Sequence, residues 1–234
     1  MPERGVAKGG RYHHGHLRSA LIDTAVELID ERGVRGFSLT EASRRLGVAV
    51  SAPYAHFTDR DDLLAAVAVH ACEVFHAELV EATQAQEQPA DRLAAITVAY
   101  VRFAAAHRAL FSVMFEPGLD KAHHPEIEEA AGPLNDLFLA NVRALTGGDE
   151  AKTEELENAI QAVAHGYAML LFDDCPDEPA AKVDQASARA ARATLALIES
   201  RDLLSPGLLG PGLLGPGLLS PGLLGPGLLG PGLQ

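Results

Sequence analysis

Four groups of residues in this 234-residue chain have types and spacings that could do chemistry. Two are histidine-rich: His13-His14-Gly15-His16, and His123-His124 beside Glu126, Glu128 and Glu129. Metal ligands must be held in place by surrounding structure. The first group lies in an opening arm with nothing to fix it, and the second sits beside Pro125 and an acidic run, as a solvated loop would. A third group is acidic: Asp173-Asp174 with Asp177 and Glu178 read as a helix-end loop with at most a weak hold on a cation. The fourth is a Gly-x-Gly-x-x-Gly spacing at Gly210, Gly212 and Gly215, repeated at Gly225, Gly227 and Gly230. That pattern cradles a dinucleotide only between a strand and a helix, and a Pro every five residues rules out both. Neither Cys72 nor Cys175 lies in a nucleophile signature, and no Gly-x-Ser-x-Gly elbow occurs. A helical enzyme using His107 or His165 with a nearby carboxylate would lack any paired motif. No catalytic residue, metal or cofactor is therefore expected.

The basic residues carry a clearer signal. The net charge is −13, yet residues 1–60 hold nine Lys and Arg against seven Asp and Glu, whereas residues 61–234 hold ten against twenty-five. Such asymmetry is expected when one segment meets a polyanion and the rest must not. Within the first segment, Glu31-Arg32-Gly33 closes a first helix. Ser38-Leu39-Thr40-Glu41 opens a second as a capping box, in which Ser38 accepts from the Glu41 N–H and Glu41 reaches back. Gly47 ends that helix within two turns, and a third is expected through Val50-Ser51-Ala52-Pro53-Tyr54-Ala55-His56-Phe57. Two short helices joined by a Gly turn make a helix-turn-helix, whose second helix enters the major groove of duplex DNA. Ala42, Leu46, Val48 and Phe57 can point inward. Ser38, Thr40, Arg44, Arg45, Val50, Ser51, Ala52, Tyr54, His56 and Arg60 are the candidate DNA contacts, the arginines for phosphates and the small residues for thymine methyls. The arm adds Arg4, Lys8, Arg11, His13, His14, His16 and Arg18.

Elsewhere the spacing is helical up to residue 202. Leu63, Val67, Ala71, Val74, Phe75 and Leu79 step by three and four, as do Leu93, Ile96, Tyr100, Phe103 and His107, and Leu156, Ile160, Val163, Tyr167 and Leu170. Breaks fall at Gly33–Gly36, Gly47, near Pro89, at Glu116–Pro125, at Gly147–Gly148 and at Pro176–Pro179. The chain reads as all-α with about nine helices. It divides into a basic arm at 1–16, a helix-turn-helix head at 17–62, a helical body at 63–202 and a repeat tail at 203–234. The tail repeats Pro-Gly-Leu-Leu-Gly without a charge, and its prolines exclude a membrane span. It is expected to be disordered, with partner capture through it as an alternative role for the chain. With two Cys and nothing at the start that reads as a signal peptide, a reducing, cytoplasmic home is expected.

These residues carry a resemblance. Residues 11–67 resemble the DNA-binding domain of TetR-type transcriptional regulators, through Ala25 to Gly33, Phe37 to Gly47, and Tyr54-x-His56-Phe57-x-x-Arg60-x-x-Leu63. The resemblance implies that Tyr54 and His56 meet phosphates and that Arg60, where the family has Lys, meets the DNA backbone. Ala49 stands where the family has a Ser cap. Residues 90–202 resemble the subgroup whose ligand domain bears a Trp-His-Gly signature, through Tyr100-Val101-Arg102-Phe103, His107, Leu110-Phe111-x-x-Met114-Phe115 and His165-Gly166-Tyr167-Ala168-Met169-Leu170, although the chain has no Trp. It implies an apolar effector pocket, here Tyr100, Phe103, His107, Phe111, Met114, His165, Tyr167 and Met169. It also implies a homodimer formed by the last two long helices, whose small residues Ala186, Ala190 and Ala193 permit close approach. The expected partners are operator DNA, a second copy and a small-molecule effector.

Overall fold

The computed structural model describes residues 16–116, 118–120, 122–174 and 180–204. The repeat tail, most of the arm, Cys175, Asp177 and Glu178 lie outside them. Among the described residues there are eight α-helices and no strand. They are α1 (Leu17–Arg32), α2 (Leu39–Leu46), α3 (Arg60–Thr83), α4 (Pro89–Ala106), α5 (Arg108–Met114), α6 (Pro125–Thr146), α7 (Glu150–Asp174) and α8 (Ala180–Glu199).

The expected ninth helix, through residues 50–57, is a single 3-10 turn at Ala52–Ala55. Pro53 has no N–H to offer Ala49, and Ala49 has no side-chain acceptor, so an α-helical first turn is neither bonded nor capped. The chain instead closes tighter bonds three residues apart: Ala52 N–H to Ala49 O at 2.9 Å, Tyr54 to Ser51 at 3.3 Å and His56 to Pro53 at 2.8 Å.

Local chemistry fixes the head around this turn. Ser38 accepts from the Glu41 N–H at 3.2 Å. The other half of the expected capping box is missing, because the Glu41 carboxylate pairs with Arg32 and Arg44. Gly47 takes a left-handed conformation at φ 67°, which a side chain would strain. Past the 3-10 turn, Asp59 accepts from the N–H groups of Asp61 and Asp62, both at 2.9 Å, and so caps α3. Phe57 and Ala42 are buried, and Leu46 and Val48 pack partly against the same core. All four inward expectations are met.

Helix α3 is the central strut, continuous from the head into the body. It is long and apolar enough to cross a bilayer by length and composition, but most of it is buried inside the bundle. Around it pack α1, α4, α5 and α6, with α7 and α8 closing the far side against α4. Small residues let α8 lie close to α4: Ser187, Ala190 and Thr194 are buried, and the Thr97 and Thr194 hydroxyls pair at 3.0 Å. Ala190, expected at an interface between copies, is therefore packed within one chain.

Phe57 is the largest side chain buried beneath the turn after α2, so Phe57→Ala leaves a cavity under that turn. The expected loss is roughly 3–5 kcal/mol in urea unfolding, against a change within about 0.5 kcal/mol for the exposed Val50→Ala.

Candidate nucleic-acid interface

The face of the helix-turn-helix opposite Phe57 is exposed. Val50 and Tyr54 are 55% and 56% accessible, the highest values for large apolar side chains in the head. Ser38, Thr40, Arg44, Arg45 and Ser51 are exposed too, while Ala52 and His56 are half-buried. Two large side chains are thus left in water among polar neighbours on this face.

The arginines are not equally available. Arg45 makes a bidentate pair with Glu31 at 2.6 and 2.8 Å and reaches Glu27 at 3.7 Å. The hydrogen bonds between Glu31 and Arg45 push the carboxyl down and the guanidinium up from their ordinary values. Arg44 pairs with Glu41 at 2.5 Å but keeps most of its side chain in solvent. Arg60 turns inward: it donates to the carbonyls of Val34 at 2.5 Å and Phe37 at 3.3 Å, contacts Asp61 at 3.0 Å, and lies over the Phe37 ring. The expected outward Arg60 is thus a brace between α3 and the loop before α2, because two backbone carbonyls there lie within reach of its fork. Arg18, expected in the arm, begins α1 and stacks over Phe57 at 5.3 Å. Arg35, exposed three residues before the α2 cap, was not singled out from the sequence, since the loop carrying it has no motif.

In the body, most of the expected pocket residues converge on one aromatic cluster. Phe103 is fully buried, 4.5 Å from Phe75 on α3 and 5.0 Å from His107 (centroid to centroid). Tyr100 meets Phe75 and Phe111 edge-on, and Phe111 and Phe115 both contact the His165 ring. Met114 packs partly against this core. Tyr100 Oη lies 3.0 Å from His165 Nδ1, and His107 Nε2 lies 2.8 Å from the Glu78 carboxylate on α3. Burial holds Tyr100 protonated and pushes the His165 imidazolium down below its ordinary range.

Two expected residues lie elsewhere. Met169 is exposed, and Tyr167 packs with Val101, Leu171 and Ala190 on another side of α7. Residues two apart on a helix point some 200° away from each other, so Tyr167 cannot share the His165 face. A groove of about 430 Å³ is lined by Ala82, Gln86, Asp91, Val98, Arg102 and Ala191, between the end of α3, α4 and α8, away from the aromatic cluster. Phe75 and Phe115 join the cluster although periodicity marked Phe75 only as core.

Comparison with known proteins agrees with the all-α fold. The family model described as bacterial regulatory proteins, tetR family, matches residues 21–67, and that described as tetracyclin repressor-like, C-terminal domain, matches residues 93–194. A solved structure of a protein of unknown function from Rhodococcus sp. RHA1 is 30% identical, with 80% of this chain and 98% of that one covered at a TM-score of 0.63. The chain belongs to the TetR family. A bacterial regulatory protein in the tetR family from Rhodococcus RHA1 shares the fold at 20% identity, with 77% and 96% covered and a TM-score of 0.60. So does the ketosteroid transcriptional regulator KstR2 of Mycobacterium tuberculosis, at 16% identity, with 82% and 97% covered and a TM-score of 0.58. Among curated protein sequences no relative matches. TetR-family proteins are DNA-binding transcription regulators and not enzymes.

In this TetR-family chain the half-buried Tyr100–His165 pair has a consequence for stability. Because folding lowers the His165 pKa from 6.5, the unfolded chain binds that proton more readily. The stability held by the neutral ring is present above the unfolded value and is lost as the pH falls from it toward the folded one. Melting temperature should therefore drop more between about pH 7.5 and about pH 5.5 for the parent than for His165→Gln. Equal drops would remove His165 from the cause.

Proposed function

We propose that the chain is a homodimeric repressor that grips a pseudo-palindromic operator and releases it when a small apolar effector enters the body, in the manner of the Trp-His-Gly subgroup. The supporting observation is the exposure of Val50 and Tyr54 on a turn whose other side is anchored by buried Phe57. An apolar residue and a tyrosine are left in water there, beside an α2 whose last turn carries Arg44 and Arg45. Tyr54 and Ser38 suit phosphate oxygens, and Val50, Ser51 and Ala52 suit thymine methyls. Two such heads would sit about 34–36 Å apart, one turn of duplex. The cytoplasm is where such a regulator meets its operator.

The second copy is assigned to α7 and α8. Leu170 is 63% exposed on α7, with Met169 beside it, and Ala188 and Ala196 are exposed on α8. Pairing these faces between copies buries apolar surface that one chain leaves in water. The effector is assigned to the cluster of Tyr100, Phe103, His107, Phe111, Met114 and His165, where apolar rings surround few polar atoms. Those rings pack against one another, so a ligand must part them. Its hold on DNA then falls by the ratio of its affinities for the two head spacings.

Mobility shift against duplex from the chain's own upstream region tests the reading. Tyr54→Ala and Arg44→Ala should each weaken binding, and Arg44→Ala should flatten the log–log salt dependence by about one unit for each phosphate contact removed. Unchanged affinity and slope in both variants would reject the interface.

A further inference from the structure

The head meets the body where the first turn of α3 approaches the start of α6. There Asp62, His124 and Glu126 bring one potential ligand atom each within 4.8 Å of the others. The sequence suggests that His123-His124 lies in a solvated loop, and His123 does: its side chain is 81% exposed and pairs with Asp120. His124 does not. Its side chain is only 17% exposed, tucked in just ahead of α6.

We propose that Asp62, His124 and Glu126 form a binding site for a divalent transition-metal ion, which would tie the first turn of α3 to the start of α6. One imidazole and two carboxylates make a nitrogen and oxygen set of the kind that takes zinc or manganese, with water completing the shell. In tetrahedral zinc geometry, ligand atoms lie about 3.3–3.5 Å from one another. His124 Nδ1 and the Glu126 carboxylate are already 3.1 Å apart. Closing the rest needs a shift below about 1.5 Å, within reach of a carboxylate rotation.

Two features hold the ligands ready. The Thr58 N–H and hydroxyl donate to one oxygen of Asp62, at 2.8 and 3.1 Å, which orients the carboxylate and leaves its other oxygen for an ion. Pro125 fixes the backbone between His124 and Glu126 and starts α6 in the same stroke. Two carboxylates with a neutral imidazole also match the charge of a divalent ion, and Asp59 and Asp61 add negative charge in the same turn of α3.

The test is a calorimetric titration of zinc alone into the metal-free full chain. The arm histidines could also take up zinc, so a variant with His13, His14 and His16 all replaced by Ala is titrated alongside. One zinc equivalent should persist in that variant and in His123→Ala, and weaken at least about tenfold in His124→Ala and Glu126→Gln. Glu126 is half exposed, so Glu126→Gln keeps the test valid should His124→Ala lose its helical circular dichroism. Absence of uptake, loss of the equivalent with the arm histidines, or undiminished binding in Glu126→Gln would overturn the assignment. No DNA is present, so failure here leaves the regulator reading where it stood.

Discussion

The head depends on one constraint, the insertion of Phe57 beneath a turn too short to hold itself. A 3-10 turn of four residues has poor hydrogen-bond geometry and no length to propagate. Its shape must come from tertiary contact. Phe57 is buried, Arg18 lies over its ring, and Asp59 begins a new capped helix two residues later. The anchor and the cap together leave Tyr54 one way to face, which is outward. A longer recognition helix would spread that work over several turns; here a single aromatic ring and one aspartate carry it.

The electrostatics of the head are equally economical. Arg45 is locked to Glu31 and Arg60 to two carbonyls, so both serve the fold before they can serve a ligand. Arg44 and Arg35 remain the more available cations, although Arg44 must exchange Glu41 for a phosphate. An exposed pair of that kind contributes little to stability, which makes the exchange cheap. A body whose acidic residues far outnumber its basic ones then discourages any other face from approaching DNA.

Much of this architecture was legible in the sequence, and the reasons are local. Gly33, Gly47 and the Ser38 cap announce helix ends through backbone chemistry that needs no tertiary context. The stripes of α3, α4 and α7 follow their three-and-four spacing. What was not legible depends on competition between partners. Pro53 and Ala49 each weaken an α-helical turn, but the spacing of residues 49–57 does not say that together they leave only a 3-10 turn. Nothing near Arg60 says that the carbonyls of Val34 and Phe37 will claim it. Tyr167 and Met169 stand close to His165 in sequence, yet Tyr167 faces another side of α7 and Met169, one turn further along the His165 face, is in solvent. The small residues of α8 permit close approach without saying to which helix, and Ala190 packs against Val101 of α4. His124 looked solvated because its neighbours do, yet α3 lies against it.

The most direct measurement of the central claim places a photo-crosslinking benzoylphenylalanine at position 54 in one variant and at position 169 in another. Each is irradiated with duplex from the upstream region. Crosslinks to DNA from position 54, and none from position 169 on the body, are the predicted result. Crosslinking from position 169 with none from position 54 would contradict the account.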